Sequence, residues 1–310
     1  MEEYIRHEHE WLGRQHPAKT NVDETPPSQP TLDPKSPQWH IIETFRDVLE
    51  SKCQPRDAAE CLANIILWRK EVLTAYSNMW GCFFSAVEHF SDIERLSILS
   101  NLLACLASLP GSINTSQDPF PNGDETEQHK KPVIIDGEME LFWKDLPEFS
   151  MNLGERMQGP EAYLSRGESD EITQRKWSNM NTFVAILVRD HGTTFPKMFG
   201  GCVIFAFTFL AATLEHAPTS RFGRNMALHM PAACRWILLA SDAVWEALDA
   251  GCEGKPWTAM VGGFWKDQDG TSEVDGRRWA FWKYRFEALR EDLRLDPEVA
   301  DLTLQASRLM

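Results

Sequence analysis

The sequence is poor in positive charge. It carries 31 lysines and arginines against 46 aspartates and glutamates, which gives a formal net charge of −15 at pH 7. No basic stripe offsets this balance, and such a surface would repel the phosphates of nucleic acid and anionic lipid headgroups. The composition therefore argues against nucleic acid and against a membrane surface as partners.

Paired cysteines are missing as well. The seven cysteines form no C-x-x-C pair, their number is odd, and most of them lie within apolar stretches. Free buried thiols of this kind are typical of a reducing compartment. The first residues, MEEYIRHEHEWLG (1–13), are charged and hold no apolar run, so we expect no secretory signal. We predict a cytoplasmic protein.

Familiar catalytic motifs are absent from the sequence. There is no G-x-S-x-G, no P-loop and no dinucleotide fingerprint. A terpene cyclase would hold magnesium-bound diphosphate with an aspartate-rich motif, and the aspartates that could contribute stand singly: Asp92, Asp136, Asp190 and Asp242. Five histidines show no H-x-x-x-H or H-x-x-E spacing that would place two ligands on one helix face: His89, His129, His191, His216 and His229. We expect neither a metal nor a cofactor.

The most apolar stretch present is KMFGGCVIFAFTFLAATLE (197–215), which holds no charge between its two ends. A helix that is apolar on every side is either buried in a large core or spans a membrane. This stretch lies at the short edge of the roughly 17–25 residues that a span requires, and it lacks flanking Trp/Tyr belts and a basic loop. We predict a buried central helix.

Helical spacing of apolar residues recurs along the rest of the chain, and no segment alternates with period two over a useful length. This pattern predicts an all-α protein. We predict one large helical domain over residues 38–310, arranged around the central helix. Residues 110–136 are polar and rich in turn formers, so we expect a long loop there, mobile or acting as a lid.

The N-terminal residues 1–37 differ from this domain. A short helix with Tyr4, Ile5, Trp11 and Leu12 as its apolar residues precedes a proline-rich tether. A helix this short is marginal in water and needs a surface on which to pack. The arm either packs on its own domain or reaches a second subunit. We predict a homodimer to which the arm contributes.

Several segments together resemble a fungal family catalogued as domain of unknown function 3632. They are DLPEFSMNLGERMQG (145–159), KWSNMNTFVAIL (176–187), MPAACRWILLASDAVWEA (230–247), GKPW (254–257) and RRWAFWKYRFEAL (277–289). The resemblance implies an all-helical soluble protein from a filamentous fungus and brings little chemistry with it. The chain also resembles, in general context and not in any motif, the cofactor-free hetero-Diels–Alderases of fungal tropolone–sesquiterpene pathways.

Polar residues on apolar helices are the remaining candidates for function, because burying them costs free energy unless they are paired. Arg235 and Asp242 are two turns apart on a mostly apolar helix, and we expect either a structural ion pair or a ligand anchor. Asn181 falls on a buried face one turn after Trp177, where it could join two helices or orient a ligand carbonyl. His229, in the first turn of the Arg235 helix, is a weaker third candidate.

The late tryptophans give candidates for binding an apolar ligand. On the helix over 277–294 they read as core residues. Trp257, Phe264 and Trp265 lie in a glycine-rich loop, which does not normally bury such rings for packing alone, and flat aromatic faces suit large apolar ligands. With Trp236 they are predicted to form the walls or the lid of a pocket.

Two functions remain open. The first is a cofactor-free cyclase that binds an apolar polyketide- or terpenoid-like molecule between the 171–191, 197–215 and 224–250 helices. It would steer a [4+2] cyclisation, with Arg235 and Asn181 as hydrogen-bond donors. The second is a non-enzymatic helical scaffold. A closed apolar cavity with Arg235 pointing into it favours the enzyme, and a solid core with a salt-bridged Arg235 favours the scaffold.

Overall fold

The structure is a computed structural model that describes residues 1–17, 32–67, 72–111, 134–135, 140–141, 143–251, 254–290, 292 and 294–310. The predicted tether and most of the predicted 110–136 loop lie outside these residues. The chain divides into two compact units, Met1–Asn152 and Leu153–Met310, and each is described by itself. Fourteen α-helices form in the described residues, so the predicted all-α class is confirmed. The predicted domain boundary after residue 37 stays a prediction.

The first unit is built from helices at the N-terminal end of the chain. They are α1 (Glu2–Gln15), α2 (Pro37–Leu49), α3 (Pro55–Leu67), α4 (Val72–His89) and α5 (Ile93–Ala107). Side-chain caps begin two of them: Ser36 accepts from the backbone N–H of Trp39, and Asp92 accepts from that of Arg95. The core is aromatic around Trp80, which stacks on Phe84 with ring centroids 5.8 Å apart.

Helix α1 packs on α2 and α4 of its own chain. The hydroxyl of Tyr4 donates to the backbone carbonyl of Cys82 at 2.9 Å, and Ser85 Oγ donates to Oε1 of the fully buried Glu8 at 2.5 Å. A side chain at Gly81 would overlap the ring of Trp11, so the close approach of the two helices requires glycine there. Of the two destinations considered for the arm, this arrangement is packing on its own domain.

The segment after the predicted loop differs from expectation. Apolar spacing predicts a helix over 138–157 with a break at Leu146–Pro147, and the first part of this prediction is wrong. Ile134–Ile135 (β1) and Glu140–Leu141 (β2) form a short antiparallel pair, and α6 (Phe149–Arg156) begins only at Phe149. Trp143, Leu146 and Glu148 have positive φ, which an α-helix does not allow. Pro147 also disfavours helical backbone at the residue before it.

The second unit contains the helices that carry the candidate site. They are α7 (Pro160–Leu164), α8 (Asp170–His191), α9 (Ile204–Leu214), α10 (Arg221–Arg224), α11 (Met226–Ala250), α12 (Gly263–Lys266), α13 (Gly276–Leu289) and α14 (Pro297–Leu309). Helix α11 packs against α8, α9 and α14. From the sequence, Pro231 is expected to start or kink this helix. Pro231 instead lies inside α11, and the backbone leaves helical geometry at Ala240 (φ −141°, ψ 23°).

The predicted central helix is shorter than its apolar run. Only Ile204–Leu214 is α-helical, after a 3-10 helix at Gly200–Val203. A side-chain carbon at Gly200 would lie 2.8 Å from the carbonyl oxygen of Gly192, so the chain approaches the end of α8 too closely for an ordinary residue. Burial of the helix is confirmed, since residues 209–214 are all buried. No helix in the described residues has the length and apolarity needed to cross a membrane.

Candidate functional site

A histidine–carboxylate pair, with the histidine buried and the carboxylate partly exposed, lies where α7 meets the start of α11. His229 is 1% exposed, and its Nε2 lies 3.2 Å from Oε1 of Glu161. The side-chain amide of Asn225, which precedes α11, donates to the same oxygen at 3.1 Å. Glu161 comes from the first turn of α7, which Pro160 begins. His229 of α11 and Asn225, the N-cap residue of that helix, thus hold the carboxylate of Glu161.

The electrostatics of this pair favour an ionised Glu161. Burial by itself would raise the pKa of this carboxyl group. The hydrogen bond and charge of His229 and the hydrogen bond from Asn225 outweigh burial, and they lower the pKa to about 2. Glu161 is therefore a carboxylate at neutral pH and can only accept hydrogen bonds.

The neighbourhood of His229 holds several buried polar atoms without a hydrogen-bond partner among the described residues. They are Nδ1 of His229, Nε1 of Trp177 and Nε2 of His216; Oγ1 of Thr173, one turn before Trp177, also has no partner. Thr173 and Trp177 are four residues apart and lie on the same face of α8. Because most buried polar groups in native proteins are hydrogen-bonded, these unpartnered atoms make the surroundings of His229 the candidate site.

Aromatic rings surround these atoms. The ring of Trp177 is in edge contact with that of His229 at 6.2 Å between centroids and with Phe209 at 4.7 Å. Phe222 of α10 lies 6.2 Å from His229 and 5.1 Å from His216. The site is thus polar at a few atoms and apolar elsewhere, as small-molecule sites usually are.

Burial decreases across the cluster from one side to the other. Trp177 and His229 are fully buried, whereas His216 and Phe222 are partly exposed. Burial lowers the pKa of His216, and the nearby His229 adds to this, while Glu215 opposes it. A neutral imidazole and a phenyl ring therefore form the solvent side of the site.

Arg235 and Asp242 were predicted to lie on a buried face of their helix, and neither is buried. Asp242 is exposed, and Arg235 is partly exposed and makes no hydrogen bond or ion pair with any described residue. Ala240, where α11 leaves helical geometry, lies between the two positions, so regular helical spacing does not relate them. Arg235 meets neither criterion set for it: it is not salt-bridged, and it is not a buried donor.

Asn181 is buried as predicted, and the structure shows its partners. Its Nδ2 donates to the carbonyl of Trp177 at 2.9 Å, and its Oδ1 accepts from Nε1 of Trp236 at 2.8 Å. The amide thus joins α8 to α11, which is the helix-to-helix role among the two considered. Trp236 is fully buried and satisfied by this bond, whereas Trp177 keeps its own N–H unpaired.

The loop aromatics predicted as pocket walls are held by structural contacts. Nε1 of Trp257 donates to the carbonyl of Ala247, and Nε1 of Trp265 donates to that of Thr271. Trp265 is buried against Gly270, where any side chain would overlap its ring. Phe264 lies under the guanidinium of Arg285, 4.4 Å from the ring centroid. None of these rings is in an aromatic contact with His229 or Trp177 among the described residues.

A buried ion pair, which sequence reasoning missed, holds the loop between α11 and α13 in place. Glu215 and Arg278 are both fully buried, with Arg278 Nε 2.7 Å from Glu215 Oε1. Glu215 also accepts from Trp282 Nε1 and from the backbone N–H of Gly262, while Arg278 donates to loop carbonyls, including that of Ser272 at 3.0 Å. Since the hydrogen bonds of these groups are completed within the protein, the pair is a structural ion pair that joins α9, the loop and α13.

Sequence reasoning also missed Glu161 and His216. Glu161 follows Gly159 and Pro160 as an ordinary first-turn acidic residue, and no local pattern distinguishes it. His229 is 68 residues further along the chain. In the described residues no group of three or more His, Cys, Asp and Glu side chains could hold a metal ion.

The family model described as "Protein of unknown function (DUF3632)" matches residues 80–286, about two thirds of the chain. The chain belongs to the DUF3632 family. This confirms the resemblance seen in the sequence. The matched part of this DUF3632 protein includes the cluster around His229 and the Glu215–Arg278 pair. No curated protein and no solved structure matches the chain.

Proposed function

We propose that this DUF3632 protein is a cofactor-independent cyclase that binds an apolar small molecule beside the Glu161–His229 pair. The observation that supports the proposal is the pair of unsatisfied buried nitrogens, Nδ1 of His229 and Nε1 of Trp177, in an aromatic surrounding. The reaction would be a [4+2] cyclisation of a reactive enone with an alkene, of the hetero-Diels–Alder type.

The hydrogen-bond donors proposed from the sequence, Arg235 and Asn181, are replaced. Asn181 is used between two helices, and Arg235 is partly exposed. The indole N–H of Trp177, and Nδ1 of His229 when it is protonated, would polarise the enone carbonyl instead. A preorganised donor contributes about 3–4 kcal/mol where charge develops in the transition state. Holding both reacting parts in register contributes up to about 7–11 kcal/mol.

The proposal is tested on a panel of apolar molecules in which a reactive enone is tethered to an alkene. Cyclised product is followed by chromatography and mass spectrometry for the wild type, Trp177→Phe, His229→Gln and, as the control, Arg235→Met. We expect turnover to fall about 10²-fold for the first two variants and to stay within about twofold for Arg235→Met.

Equal rates in the presence and absence of wild-type protein over the whole panel would reject the cyclase. Loss of turnover in Arg235→Met alone, with unchanged melting temperature, would return the donor role to Arg235. Melting temperatures of all variants separate loss of function from loss of the fold.

We further propose a cytoplasmic location for the protein. The described cysteines are free thiols, and Cys82, Cys202 and Cys234 are buried. Burial raises the pKa of the Cys202 thiol and that of the Cys234 thiol to about 12, so both are unreactive thiols in the core. Imaging of a tagged full-length chain in its native cell tests the location, and a secreted signal would contradict it.

A further inference from the structure

We propose that α1 is a releasable cover on α4. It leaves α4 while the rest of the first unit stays folded, and the incomplete hydrogen bonding of the buried Glu8 sets how readily it does so. This property belongs to the first unit and is independent of the cyclase proposed for the second.

Apolar side chains supply most of the attachment of α1. The ring of Trp11 fills the space over Gly81, and the hydroxyl of Tyr4 donates to the carbonyl of Cys82 at 2.9 Å. The large apolar side chains of α1 that are buried are Tyr4, Ile5 and Leu12. These contacts fix the position of α1 on α4, and they make the helix surface beneath it apolar.

Glu8 is the weak point of this attachment. Its side chain is fully buried, and Oε1 accepts from Ser85 Oγ at 2.5 Å and lies 2.9 Å from Nδ1 of His7 on the same helix. The other oxygen, Oε2, has no hydrogen-bond partner among the described residues. The thiol of Cys82 lies close by; burial and then the charge of Glu8 raise its pKa, so it stays an S–H group, which is a weak donor.

The incomplete hydrogen bonding of Glu8 does not depend on its protonation state. A carboxylate would be a buried charge with one oxygen that no described donor meets. A neutral carboxylic acid would still leave Oε2 without a partner. Burying a polar or charged group without completing its hydrogen bonds costs free energy. Because water completes these bonds when α1 leaves α4, Glu8 favours release.

Release of α1 has two measurable consequences. A free helix of 14 residues is marginal in water, so α1 should unfold when it leaves α4. The amide hydrogens of residues 2–15 then exchange with solvent. Cys82, which is fully buried and lies against Tyr4 and Glu8, loses this cover and becomes open to thiol reagents.

The test follows both consequences in the full-length protein under native conditions. Hydrogen exchange read by mass spectrometry should be at least about 100-fold faster for residues 2–15 than for the slowest amides of α4, as expected for a local opening. N-ethylmaleimide should label Cys82 before the buried Cys202 and Cys234 of the second unit, as peptide mapping would show.

Variants assign the opening to Glu8. Glu8→Met keeps the length of the side chain and removes the incompletely bonded carboxyl group, so it should slow exchange of residues 2–15 and labelling of Cys82 about tenfold. Glu3→Met makes the same change at an exposed position of α1 and should leave both rates within about twofold. Ser85→Ala removes a partner of Glu8 and should raise both rates severalfold.

Two results would overturn the proposal in different ways. If residues 2–15 exchange no faster than α4, and Cys82 is labelled only together with Cys202 and Cys234, then α1 is a fixed part of the first unit. If α1 opens locally but Glu8→Met does not slow the opening, Glu8 is not what weakens the attachment.

Discussion

Replacing Glu215 by Gln should destabilise the second unit more than any surface substitution. Glu215 and Arg278 are both fully buried, so the change leaves the guanidinium without its counter-charge. Removing one partner of a buried pair costs about 3–5 kcal/mol. The glutamine also places an N–H₂ group among donors, because both carboxylate oxygens accept, from Arg278, Trp282 and the Gly262 N–H. We expect a loss within that range.

The assay is urea unfolding followed by tryptophan fluorescence and far-UV circular dichroism. With a slope of about 2 kcal/mol per molar urea, the expected loss lowers the midpoint by about 1.5–2.5 M. Asp190→Asn is the matched control, because Asp190 pairs with Arg189 at the surface of the same unit. An exposed pair of this kind is worth about 0.2–1 kcal/mol.

A double-mutant cycle separates the pair from its surroundings. Replacing both Glu215 and Arg278 by apolar residues (Glu215→Leu with Arg278→Met) should cost clearly less than the sum of the single changes, because neither charge is then left buried alone. A midpoint for Glu215→Gln within the range of Asp190→Asn would refute the reasoning. So would a strictly additive double mutant.

Three further predictions concern other parts of the chain. Glu161→Gln should lower the free energy of unfolding by about 1–2 kcal/mol relative to the wild type above pH 4.5, because solvent screens this partly exposed carboxylate. The difference should fade as the pH falls through about 2, since the folded-state pKa of Glu161 is lowered; unfolding of both proteins against pH tests this. Gly81→Ala should loosen α1 because the new methyl overlaps Trp11, which amide exchange over residues 2–15 reports, whereas Gly154→Ala, with open space around it, should leave exchange unchanged. Deleting residues 1–36 should reduce the mass in light scattering if the predicted homodimer uses the arm; a full-length monomer at micromolar concentration would contradict the dimer.

The helices of the fold could be predicted from sequence, because each one depends on local spacing and local caps. Ser36 and Asp92 cap the helices that begin at Pro37 and Ile93, and such caps are local sequence signals. The errors arose where distant backbone decides the conformation. Within the 197–215 stretch, residues 200–203 form a 3-10 helix and not part of the α-helix, because Gly200 lies against Gly192. Apolar periodicity cannot predict such a contact.

The candidate site could be predicted only in part, and the reason is physical. Periodicity identified Trp177 and Asn181 as buried but could not show which of them had a partner; Asn181 meets Trp236 on another helix, and Trp177 does not. Arg235 attracted attention as a charge in an apolar helix, yet a long arginine can keep its head near solvent.

The Glu215–Arg278 pair and the partly buried Glu161–His229 pair of the second unit differ in how far their hydrogen bonds are completed. Glu215 and Arg278 satisfy each other's hydrogen-bonding groups with help from the loop, so no ligand is needed to complete them. In the Glu161–His229 pair the carboxylate is satisfied, but Nδ1 of the imidazole is left with no partner, next to an unpaired indole N–H. A buried orphaned group costs about 1–3 kcal/mol, and that cost is recovered when a ligand supplies the missing partner. This difference supports a structural role for the Glu215–Arg278 pair and the proposed ligand site at the Glu161–His229 pair.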